Sequence, residues 1–165
     1  MRFGLRILRP VLTIVFGWSL LKSIDLLARH QSLDRLLFES ADMTWIFYAL
    51  LLALAVCQAT ALSWIWRRFR RGYLFAFGAI ALNLVETAIA TAIAVRDTEV
   101  AKQAFIASRQ SRGLSVRQEV VDLMDNPTTH LVSLAAVVLL GLLWCALIAL
   151  LIRANKRQPE SDPQH

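Results

Sequence analysis

Apolar residues gather into four runs, at 11–27, 43–66, 73–95 and 131–152, separated by two short polar connectors and one long one. Each run approaches or exceeds the ~20 residues that a helix needs to cross a hydrocarbon core. The pattern predicts an all-α, polytopic four-helix transmembrane bundle. Its spans cover 9–28, 43–66, 73–95 and 131–152, within a single membrane domain over 1–152. The tail, 153–165, is polar, carries two prolines, and reads as disordered and cytoplasmic.

The first run carries an ambiguity, because Arg2, Arg6 and Arg9 followed by a short apolar stretch also describe the start of a signal peptide. No small-x-small cleavage site follows, and apolar character resumes at Ile24, Leu26 and Leu27. The expectation is therefore an uncleaved span.

The long connector, 96–130, carries a helical period of its own. Residues 98–112 place Val100, Ala101, Ala104, Phe105 and Ala107 toward one side, and Gly113 suits the stop. Ser115-x-x-Gln118 matches a capping box opening a second helix, with Val116, Val120, Leu123 and Met124 as its apolar face. Asn126-Pro127 ends it. The fold expected here is an extracytoplasmic helical hairpin between spans three and four, with five basic and five acidic residues in balance. It reads either as a cap on the outer mouth of the bundle or as a docking surface with Phe105 and Val120 as contacts.

Charge sets the threading. Three basic residues precede the first span, Arg67, Arg68, Arg70 and Arg71 crowd the hinge between spans two and three, and Arg153, Lys156 and Arg157 follow the fourth. The opposite side holds two in the first connector and five in the long third one, whose length dilutes their effect. Both termini are expected in the cytoplasm of a bacterial inner membrane, with Arg67, Arg68, Arg70 and Arg71 as the topology determinants. Trp45, Trp64, Trp66 and Tyr73 stand where interfacial aromatic belts would form. The net charge of +6 thus belongs to span ends and lipid headgroups, and no basic stripe with interleaved aromatics suggests nucleic acid.

Small residues recur at helical spacing. Ala49, Ala53, Cys57 and Ala61 line span two, Gly141, Cys145 and Ala149 line span four, and Ala79, Asn83, Thr87 and Thr91 line span three beside Glu86, Ala90 and Ala94. Such stripes predict close packing of spans two, three and four. The two cysteines read as small packing residues rather than a redox pair.

Ionisable residues inside a span are costly and point to function. Here they are Lys22, Asp25 and Glu86, with Asn83 one turn before Glu86. Lys22 and Glu86 lie at similar depth and suit an interhelical ion pair, and Lys22 with Asp25 at i, i+3 suits a local one. Glu86 is then either paired, or neutral and hydrogen-bonded, or lining a wet path. Gln58, Thr60 and Ser63 suggest an extension of that path, or ordinary interhelical glue.

Catalytic and cofactor motifs are missing. There are no intraspan histidine pairs for a b-type haem, no external cysteine pairs, no metal-ligand spacing and no phosphate-cradling loop. Phe16-Gly17-Trp18-Ser19-Leu20-Leu21-Lys22 resembles the opening span of DoxX-like small membrane proteins, and the long third connector departs from that pattern. The expected function is a non-catalytic accessory or self-associating membrane subunit without cofactor or metal. Its partners would be the bilayer, a second copy, or another membrane protein. The alternative is a small oligomeric transporter or channel moving protons or cations, with Glu86 in the pathway.

Overall fold

The computed structural model describes residues 2–28, 32–67 and 72–156. The described residues form α1 (Arg2–Ala28), α2 (Leu33–Ser40), α3 (Thr44–Arg67), α4 (Gly72–Arg96), α5 (Thr98–Gln110), α6 (Gln118–Met124) and α7 (Pro127–Lys156), with no strand among them. The stretches Arg9–Ala28, Thr44–Trp66, Tyr73–Arg96 and Pro127–Arg153 are each long and apolar enough to cross a membrane. Of the hinge arginines, Arg67 closes α3, while Arg68, Arg70 and Arg71 lie outside the described residues, as does the tail from residue 157.

Local chemistry explains where the boundaries depart from the hydropathy pattern. The fourth long helix starts at Pro127 rather than at 131. Asn126 Oδ1 accepts from the Thr128 N–H at 2.9 Å, and proline tolerates the first helical position because no partner awaits its missing N–H. Asn126-Pro127 therefore ends one helix and begins the next. In the first connector the pattern shows no element, yet α2 forms. Ser32 caps it, its Oγ accepting from the Arg35 N–H at 3.3 Å, and Asp34 in the first turn favours the positive helix end.

The capping box expected at Ser115 does not form. α6 begins at Gln118 with Arg117 at its N-cap and no side-chain cap, while the Ser115 carbonyl accepts from Arg109 Nε at 3.0 Å. The preceding turn fixes this. Gly113 adopts φ +66, its N–H reaches the Gln110 carbonyl at 2.9 Å, and the Leu114 N–H reaches the Arg109 carbonyl at 3.0 Å. These bonds make the Schellman closure of α5. The buried residue of α6 is consequently Val121, with Val120 half-buried and Leu123 exposed.

α3 packs against α1 and α4, α4 also packs against α7, and α1 meets α7 along a shorter stretch. α2 lies on α3, α4 and α5, and α6 joins α5 to α7. The three short helices thus share one end of the molecule, the capped end; Arg67 and Gly72 mark the other, the hinge end. Two apolar cores follow. At the hinge end Leu12 and Phe16 of α1 meet Trp64 and Ile65 of α3, Ala76 of α4, and Ile148 and Leu151 of α7. At the capped end Leu37 and Phe38 of α2 meet Phe47 and Leu51 of α3, Ala90 and Ala94 of α4, and Ala101 and Ala104 of α5. Phe38 and Phe47 stack with ring centroids 5.5 Å apart.

Small residues bring α3 close to α4 and α4 close to α7, although α3 and α7 do not pack closely on each other as the expected three-span contact would have it. A Cβ on Gly141 would meet Ile80 Cγ2 of α4 at 3.3 Å, and one on Gly78 would meet Cys57 Sγ at 3.6 Å. The stripe on α3 stops short of the capped end, where Ala49 is exposed. Trp64 also departs from its expected interfacial place: it is 6% exposed and sits edge-on to Tyr73 at 6.3 Å. Trp45 and Trp66 do face outward.

Candidate functional site: a charged cavity between the long helices

Helical periodicity assembles the site. Ser19, Lys22, Ser23 and Leu26 form one face of α1, and Asn83, Glu86, Thr87 and Ala90 one face of α4, both with i, i+3, i+4, i+7 spacing. Thr129, His130 and Ser133 of α7 face the same space, and Leu51 and Leu54 of α3 supply its apolar wall. Asp34 and Leu37 of α2, Ala101 of α5 and Met124 of α6 close it at the capped end. Together they enclose a cavity of about 330 Å³, at the small end of the ~300–1,000 Å³ usual for ligand pockets.

The charges within it are unequal. Asp34 and Lys22 are the charged neighbours of Glu86, and Lys22 also acts on Asp34 together with Arg112. Among the lining residues one lysine therefore faces two carboxyls, and Arg112, outside the lining, adds a second positive charge that acts on Asp34. Burial pushes the Asp34 carboxyl above the usual range for an aspartate, and the attraction of Lys22 and Arg112 offsets part of that rise. Glu86 is 8% exposed, whereas Lys22 and Asn83 are exposed although both lie within candidate spans. Thr87 Oγ1 is occupied, donating to the Asn83 carbonyl at 2.9 Å. His130 Nε2 lies 3.0 Å from the Met124 carbonyl. Since a carbonyl only accepts, Nε2 is the donor and ties α7 to the end of α6.

Below the cavity, Gln58 joins α1 to α3. Its Nε2 donates to Ser19 Oγ at 2.7 Å, and Ser23 Oγ stands 3.1 Å from its Oε1 and 3.0 Å from the Ser19 carbonyl. The polar track expected through Gln58, Thr60 and Ser63 ends at Gln58. Thr60 Oγ1 turns back to the Val56 carbonyl at 2.8 Å, and Ser63 is exposed on another face.

Lys22, Asn83 and Glu86 thus line one space, but no contact ion pair joins Lys22 to Glu86 among the described residues. Asp25 is exposed and does not line the cavity. Phe105, one candidate contact, is half-buried with the Arg109 guanidinium 5.7 Å over its ring. Asp34 and His130 also line the cavity, and neither belongs to the polar cluster expected from sequence. Asp34 sits on the helix that hydropathy did not show, although Ser32 before Leu33, Leu36 and Leu37 was a legible start signal. Among the described residues no three His, Cys, Asp or Glu come together to hold a metal ion. Comparison of the chain with protein-family models, with curated proteins and with solved structures found no match.

Proposed function

We propose that the chain is a non-catalytic multi-pass protein of the bacterial cytoplasmic membrane whose cavity receives a positively charged group. In this reading the four long helices form a transmembrane bundle, the termini are cytoplasmic, and α5 and α6 make the extracytoplasmic hairpin that caps it. The observation that carries it is the shared cavity of Lys22, Asp34 and Glu86. Arg112 acts on Asp34 from outside the lining, so Glu86, buried beside Asp34 and without a contact ion pair to Lys22, is the carboxyl at which a further counter-charge is favoured in a low-dielectric surround.

Conduction is the second reading, with Glu86 in a proton or cation pathway. What favours binding is the hinge-end core, where Leu12, Phe16, Trp64, Ile65, Ile148 and Leu151 fill the space a through-path would need. An accessory or self-associating role is compatible with both.

Cysteine chemistry tests the cavity. In a chain carrying Cys57→Ala and Cys145→Ala, Asn83→Cys should react several-fold faster with a cationic methanethiosulfonate than with an anionic one of similar size. Adding Glu86→Gln should bring the two rates together. An anionic reagent reacting as fast as the cationic one before that change overturns the reading.

A further inference from the structure

α1 and α7 share only one of the two cores. At the hinge end Leu12 and Phe16 meet Ile148 and Leu151. At the capped end Leu26 and Leu27 of α1 pack against the core of α2, α3, α4 and α5, and no residue of α7 joins that cluster. α7 is held there by α4 and α6 instead, with Gly141 against Ile80 and Leu84. The space between α1 and α7 at this end is the cavity itself, with Lys22 on one lip and Ser133 on the other, both exposed. Asn83, deep within α4, is exposed as well, so the opening reaches down along the spans. Beyond the lips the surface is apolar: Trp18 and Leu21 on α1, and Val132 and Leu139 on α7, are all more than half exposed. A polar cavity therefore opens sideways, through an apolar frame, within the length of the candidate spans.

We propose that this cavity takes the zwitterionic headgroup of a phosphoethanolamine lipid, with its acyl chains leaving between α1 and α7. The inference rests on the cation-accepting cavity proposed above and names the cation as a primary ammonium. Lys22 meets the phosphate, and Asp34 and Glu86 accept N–H bonds from the ammonium. Charged hydrogen bonds of this kind are the strong ones. A glycerol headgroup brings no positive charge to the two carboxyls. A choline headgroup brings the charge but no N–H to donate. Lys22 lies six residues below the end of α1, about 9 Å at ~1.5 Å per residue, so the headgroup sits below the plane of its neighbours while its chains stay in hydrocarbon. The lateral opening is what makes a lipid, rather than a soluble zwitterion, the occupant.

The full-length protein, purified in detergent and supplied with equimolar phosphatidylethanolamine, phosphatidylglycerol and phosphatidylcholine, tests this by native mass spectrometry. Phosphatidylethanolamine should be retained at least several-fold over the other two. Glu86→Gln should abolish that preference, Lys22→Gln should weaken retention of all three lipids with Lys22→Arg restoring it, and Asp25→Asn, outside the cavity, should leave both retention and preference intact. Ser133→Trp, which fills the lateral opening, should reduce retention while the Asn83→Cys preference for cationic reagent persists. Soluble phosphoethanolamine should fail to displace the lipid at equal concentration; displacement would make the soluble zwitterion the ligand and overturn the lipid. Equal retention of the three lipids overturns the headgroup assignment. If cationic selectivity at Asn83→Cys survives that result, the cation-accepting cavity stands alone; if it too is absent, both proposals fall.

Discussion

Gln58 is 2% exposed between α1 and α3, where its amide meets Ser19 Oγ and Ser23 Oγ across the helix boundary. In lipid such bonds contribute about 1 kcal/mol, since the separated helices find other partners. Gln58→Leu should lower stability by about that amount, read from the midpoint of unfolding in detergent and SDS mixtures. Asp34 behaves in the opposite sense. Its carboxyl is raised above the ordinary value of 3.8, chiefly by burial, so the folded protein holds the proton more tightly than the unfolded chain. Stability due to Asp34 is therefore present at low pH and declines as pH rises from about 3.8 through the higher folded value. Asp34→Asn should raise the thermal midpoint at neutral pH, and the gain should vanish below that window. Glycines separate by their surroundings. Gly141→Leu should force α7 from Ile80 and Leu84, lowering the thermal midpoint, whereas Gly17→Ala, with nothing within 4 Å of the added Cβ, should leave it unchanged or higher.

Among elements, α5 and α6 are joined by a lysine that serves two helices. Lys102 Nζ lies 2.6 Å from Asp125 Oδ1 at the end of α6 and 3.2 Å from Glu99 Oε2 on its own helix. These partners raise the Lys102 ammonium above its ordinary 10.5, so its contribution is fully present below that value and is lost only as pH climbs past the folded one. Lys102→Glu should speed hydrogen exchange in α6 at neutral pH, and the swap Lys102→Asp with Asp125→Lys should restore protection. A swap without recovery would show that α6 is held by Val121 and by His130 rather than by this pair. Here lies a limit of reading elements from pattern. The apolar periodicity of 116–124 permits two starts two residues apart, and the Gly113 closure decides between them. α2 illustrates the converse: eight residues are too few to show a period, although its cap was legible in Ser32.

For the molecule as a whole, threading and cavity depend on each other. In the proposed orientation, with the hinge arginines cytoplasmic, the capped end and the cavity would face outward, and Ser111→Cys, in the exposed turn after α5, should be labelled by an impermeant maleimide on intact cells. Labelling only after permeabilisation would reverse the orientation of every feature described. Four long apolar helices were legible in residue order alone, because a span is a local property: its length and hydropathy are set before any neighbour is present. So was the presence of costly charges at Lys22 and Glu86. Whether those charges would meet was not, because contact depends on how far apart two helices stand, and no periodicity records that. Tertiary packing decided it. The aromatic and small residues of α2, α3, α4 and α5 close one side of the capped end and leave α1 and α7 apart on the other. Lys22 and Glu86 thereby line one cavity without a contact ion pair, and Asp34 is brought to it from a helix that hydropathy could not reveal.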